Sequence, residues 1–170
     1  MLKHSIASLV VIIIFITSLV HAGEKEMKKL FKLEAETLMR LDENTGKWMA
    51  MKTPFEKVKV MLTHTRREGS LIVGGSGGVA LSMEPYKSWA IVLWCGPTFT
   101  PSIITASTIH RNMVWMAGTV EEDGRTMTEV WSSFNDGYSW VRAYVSEAPI
   151  STLHLDPDAT KPVWFEGREK

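Results

Sequence analysis

Trp115, Met127, Trp131, Trp140 and Tyr144, with Glu129 and Arg142 as the polar groups among them, are the residues whose types and spacing point to a binding surface, because a β-sheet can bring them to one face. Side chains along a strand alternate between its two faces. Over 125–133 that period sets Met127, Glu129 and Trp131 on one side. Over 138–145 it sets Tyr138, Trp140, Arg142 and Tyr144 together, and in the preceding stretch Met113, Trp115 and Ala117 share a face. Antiparallel pairing then assembles one surface from Trp115, Met127, Glu129, Trp131, Trp140, Arg142 and Tyr144, with Met113 beside them. Rings of this size with a carboxylate and a guanidinium among them suit an apolar or amphipathic small molecule: ring burial drives binding and a charge orients the polar head. The same rings suit a filled core, and the pattern leaves both open.

Other reactive residue types are more dispersed. His64 and His110 with Glu129 could ligate a metal, and either histidine with Cys95 could form a thiol–imidazole dyad, but their spacings match no ligand signature. Nothing beside Cys95 in the sequence supplies a cation to lower its pKa. Gly74-Gly75-Ser76-Gly77-Gly78 lacks the Lys-Ser or Lys-Thr of a phosphate loop, and no helical pattern follows it. It reads as a flexible hairpin tip or strand bend, placed to act as a lid if a barrel opens there. No Gly-x-Ser-x-Gly elbow occurs. No catalytic residue, metal ligand or cofactor is assigned.

The elements that must position these residues are mostly strands. Residues 24–41 read as an amphipathic helix, with Met27, Leu30, Phe31, Leu38 and Leu41 on one stripe, closed by the polar run Asp42 to Gly46. From Lys47 onward, short runs rich in Val, Ile, Thr and aromatics predict strands at 47–52, 58–66, 70–73, 78–83, 89–94, 103–110, 113–120, 125–132 and 138–145. Asp123-Gly124 and Asn135-Asp136-Gly137 are hairpin turns, because glycine accepts the positive φ such turns require. The stretch after Glu147 reads as an irregular tail until a last strand at Val163-Trp164-Phe165. Turn signals every 8–12 residues predict an antiparallel barrel or sandwich rather than a wound α/β sheet.

Destination and class come from the first residues and the bulk balance. Lys3, an apolar run from Ile6 to Val20 and small Ala22 make a secretory signal peptide over 1–22, cut between Ala22 and Gly23. An uncleaved anchor competes, although the run is shorter than the roughly 20 residues a spanning helix needs. Loss of Lys3 leaves 18 basic against 19 acidic residues in 23–170, a balance that suggests neither nucleic acid nor an anionic membrane surface as partner. No second apolar run reaches spanning length, so no stable membrane insertion is expected after cleavage. Cys95 is the single cysteine, so an internal disulfide is impossible and stability must come from burial.

Gly46-Lys47-Trp48, followed by Asp123-Gly124 and Asp136-Gly137-Tyr138-Ser139-Trp140, resembles the exported, lipocalin-like (calycin) bacterial domains of unknown function over about Leu41 to Val145. The resemblance implies an antiparallel calycin-like β-barrel, with Trp48 packed across its closed end and Arg142 stacked on that ring. In haem-binding relatives a histidine near the carboxyl end ligates the iron, and His154 is the candidate by position. The usual second lipocalin signature, Thr-Asp-Tyr, does not occur.

The expected organisation is thus a signal peptide over 1–22, a helix and turn over 23–46 and an antiparallel barrel over 47–170, periplasmic or extracellular. Three functions fit it. The first is non-covalent binding of a small apolar or amphipathic molecule inside the barrel. The second is a filled barrel that docks a protein partner through its helix or a strand edge. The third is an enzyme using His64, His110 or Glu129.

Overall fold

Runs of β-branched and aromatic residues between tight turns leave the backbone one way to satisfy its polar groups, which is pairing between strands. The structure, a computed structural model, describes residues 30–63, 69–107, 110, 112–147, 150–154 and 164–167. Its strands are β1 (Phe31–Glu34), β2 (Thr37–Asp42), β3 (Lys47–Ala50), β4 (Val58–Thr63), β5 (Ser70–Gly75), β6 (Gly78–Met83), β7 (Ala90–Trp94), β8 (Thr100–Ala106), β9 (Val114–Glu122), β10 (Arg125–Ser133), β11 (Val141–Ser146), β12 (Ile150–His154) and β13 (Trp164–Gly167). They form antiparallel sheets of order β1-β2-β3, β4-β5-β6-β7, β11-β10-β9-β8 and β12-β13. The fold is mainly β.

Two expectations need correction. The helix over 24–41 is replaced, from Phe31 onward, by the β1–β2 hairpin; residues 24–29 lie outside the described residues. Its turn residues Ala35 and Glu36 both have positive φ (47° and 61°), and the pairing sets Phe31 opposite Arg40 and Leu33 opposite Leu38. Glu36 carries ion pairs with Lys57 and Lys59, and its carbonyl accepts the Val58 N–H at 2.8 Å, so the turn is anchored from outside the hairpin. The closed calycin-like barrel is the second correction. Among the described residues the strands form separate sheets, so that β4 and β7 end one and β8 and β11 end another without joining.

The sheet β4–β7 lies between the β1–β3 and β8–β11 sheets. On one face Leu71, Val73 and Ala80 pack with Phe31, Leu38, Phe55, Val58 and Tyr86. On the other, Ile72, Val79 and Leu81 pack with Phe99, Val114 and Met116. Every residue of β5 is buried, and so is β6 up to Ser82, as expected of strands covered on both sides. The space between the β4–β7 and β8–β11 sheets is filled by side chains: Phe99, Val114 and Met116 are all at 0% exposure.

The glycine run forms the β5–β6 hairpin, as a tip packed against its neighbours. Gly77 takes φ +96° in the turn; its N–H donates to Phe99 O and its carbonyl accepts Cys95 N–H, both at 2.8 Å. A Cβ on Gly75 would lie 2.5 Å from Phe55, one on Gly77 would strike the Trp94 ring, and one on Gly78 the Leu93 carbonyl. These positions are glycine because neighbouring groups occupy the volume of a side chain.

The expected irregular tail contains the β12–β13 hairpin, in which His154 is opposite Trp164. Val163 and the segment 1–29, with its signal expectation, lie outside the described residues. No helix among the described residues is long and apolar enough to cross a membrane.

Candidate functional site

β10 carries the centre of the site. Glu129 is buried, at 7% exposure, on the face turned toward the β4–β7 sheet. Two residues along on the same face, Trp131 donates its indole Nε1–H to Glu129 Oε2 at 3.0 Å. From β11, Arg142 donates Nη1–H to Glu129 Oε1 at 2.9 Å, and 56% of the Arg142 side chain is exposed. Both carboxylate oxygens therefore hold a donor, one neutral and one charged. The register explains the meeting, since β10 and β11 place Trp131 opposite Arg142.

Cys95, just past β7, packs into the same cluster as Trp131 and Trp140. Burial pushes its thiol up to about 12, the Glu129 carboxylate adds to that, and the Arg142 guanidinium opposes it. Cys95 is thus a neutral packing residue at ordinary pH, and the nucleophilic thiol considered from the sequence has no thiolate to use. His110 lies between β8 and β9, where its backbone N–H donates to Ser107 Oγ at 2.9 Å. His64 is outside the described residues. Among the described residues, no group of three His, Cys, Asp or Glu side chains gathers to hold a metal.

Of the seven residues drawn together from the sequence, the structure joins five on one face and separates two. Glu129, Trp131 and Arg142 are in direct contact. Trp140 is half-buried against the same cluster, with its Nε1–H donating to Gly137 O at 2.9 Å. Met127 is two residues before Glu129 on β10, half-buried and opposite Val120. Trp115 is a correction. It pairs with Ser132, while Met116 pairs with Trp131 and Gly118 with Glu129, so Trp115 belongs to the other face.

Tyr144 is also a correction. A β-bulge leaves Ala143 without a partner, so Tyr144 pairs with Val130 and Arg142 with Trp131, on opposite faces. The arginine–tryptophan stack implied by the lipocalin resemblance is replaced as well: the cation over the Trp48 ring is Lys32 Nζ, at 4.6 Å, and Arg142 is held by Glu129.

The residues missed were Val114 and Met116, which supply the β9 half of the face. Their signal was present in the sequence. A two-residue turn at Asp123-Gly124, both with positive φ (50° and 74°), pairs Glu122 with Arg125 and so sets even positions of β9 opposite odd positions of β10.

Chemically, this arrangement fixes a cation. A carboxylate with a donor on each oxygen holds a guanidinium in one place. Compared with known proteins, the chain matches no family model and no curated protein.

Proposed function

We propose that this is an exported binding protein that takes up a small amphipathic molecule bearing an acidic head, without covalent chemistry. The observation that carries the reading is the state of Glu129: buried, with Trp131 and Arg142 on its two oxygens. Arg142 keeps further N–H donors and an exposed side chain, the equipment for a carboxylate or phosphate head. Trp131 and Trp140, both half-buried, offer ring surface beside it for the apolar part. The ligand would lie at the open side near β11 and not in the middle of the fold, where Phe99, Val114 and Met116 leave no room.

The test is native mass spectrometry of the protein purified from its exported compartment, with analysis of anything released on unfolding. A stoichiometric acid that is lost from Arg142→Gln supports the reading; a bare polypeptide overturns it. A second reading, a filled module that docks another protein, is favoured by the packed inner face and by the exposed strands β7 and β11, where Ile91, Trp94 and Val141 are 56%, 60% and 62% exposed.

A further inference from the structure

The β4–β7 sheet has four strands, and the β1–β3 sheet packed on it has three. The apolar cluster between them draws on β4, β5 and β6, through Val58, Leu71, Val73 and Ala80, and on no residue of β7. Yet β7 offers two large side chains to that face. Register sets Ile91 opposite Ala80 and Trp94 opposite Gly78, so both point the same way as Ala80, and both are exposed. The covering sheet stops one strand short, at β3. Trp89, directly before β7, donates its indole Nε1–H to Lys52 O at 3.0 Å, which turns the free side of β3 toward β7.

β3 is open to pairing on that side. Its register with β2 runs without a bulge. Met51 N–H donates to Leu38 O at 2.8 Å, and alternation turns the backbone groups of Lys47 and Met49 to β2 as well. Those of Trp48 and Ala50 face outward, like the Lys52 carbonyl that Trp89 meets. Met49, on the inner face opposite Arg40, is exposed for want of a neighbouring strand. β7 is the poorer edge, because its register with β6 slips between Val79 and Ala80. Charge selects the occupant. Lys47, Lys52 and Lys87 are exposed and make no ion pair among the described residues, and neither 47–55 nor 86–95 contains an acid. A second copy of β3 would bring its own lysines against these.

We propose that β3 accepts an extended, acid-flanked segment of another protein as a fourth strand, with the segment's inward side chains resting on Ile91 and Trp94. Backbone hydrogen bonds to Trp48 and Ala50 hold it, and burial of Met49, Ile91 and Trp94 supplies the attraction. The lysines choose the sign of its flanking charges. This surface is on the opposite face of the β4–β7 sheet from Glu129 and Arg142.

The test is fluorescence anisotropy of a fluorescein-labelled peptide, Glu-Val-Thr-Val-Thr-Val-Glu, titrated with the full chain, with melting temperature and circular dichroism confirming the fold of each variant. The wild type is expected to bind it with a Kd below about 100 µM. Lysine in place of both glutamates should weaken binding by about 10-fold. Ala50→Pro removes an outward N–H that β2 does not use, so the fold should survive and binding should fall by at least about 10-fold. Ile91→Ser strips the apolar floor without touching the backbone edge and should weaken binding by about 5-fold. A wild type that does not bind, equal affinity for the two peptides, or binding kept in both Ala50→Pro and Ile91→Ser overturns the proposal. Because Ala50→Pro leaves the Glu129–Arg142 pair in place, loss of this peptide is separable from loss of an acidic ligand there.

Discussion

Glu129 sits where a buried carboxylate needs two donors, and β10 and β11 each provide one. Glu129→Gln keeps the shape but brings an amide N–H against either the indole or the guanidinium. A loss of about 1–3 kcal/mol in urea unfolding is expected, the usual cost of a buried polar group left without a partner. Cys95 gives a pH prediction. Its thiol pKa is raised to about 12 in the fold, against roughly 8.5 for an unperturbed cysteine. Between those values the unfolded chain has lost the proton that the folded chain retains. Stability should therefore be unaffected by Cys95 below about pH 8 and fall as pH rises above it, by one proton's slope. Cys95→Ala should remove that component, as read by unfolding titrations between about pH 8 and about pH 11. The face shared by Glu129 and Trp131 was legible from the period of two alone. Arg142 reached it as expected, but Tyr144 did not, because no residue type announces the bulge at Ala143.

The elements show where sequence patterns mislead. Phe31 and Leu38 are seven residues apart, which is two turns of a helix, yet they share a face for another reason. A two-residue turn at Ala35-Glu36 folds the chain back so that Phe31, Leu33, Leu38 and Arg40 all point one way. Neither turn residue is Gly, Asn or Asp, so the usual hairpin signal is missing. The conformation is sustained by the Lys57 and Lys59 pairs of Glu36 and by burial of Phe31 and Leu38 at 2% and 1% exposure. Asparagine tolerates positive φ better than alanine, so Ala35→Asn should stabilise the protein, by about 1 kcal/mol in thermal unfolding. At the β5–β6 hairpin the reverse holds. Gly78→Ala drives a methyl into the Leu93 carbonyl on β7 and should destabilise by about 1–3 kcal/mol, while Gly124→Ala meets no atom within 4 Å and costs only its backbone strain. β6 was legible to the residue, as 78–83, because glycines and Met83-Glu84-Pro85 bound it.

At the scale of the whole molecule, the inner strands β5 and β6 have no face of their own for water. Leu71, Val73 and Ala80 need the β1–β2 hairpin, and Ile72, Val79 and Leu81 need β9. A chain lacking residues 30–50 should retain its β8–β11 sheet but expose the first face, bind a hydrophobic dye and associate at concentrations where the full chain stays clear. The layering was out of reach of the sequence, since an apolar run such as Leu71-Ile72-Val73 states that both sides are covered without saying by what. The same double burial has a consequence in time. A chain made or threaded amino end first presents Ile72, Val79 and Leu81 long before Val114 and Met116 exist to meet them, so over that interval it carries a sticky, half-dressed sheet. Chains stalled before β9 should be held by chaperones or destroyed by proteases, and a pause after Met116 should release them.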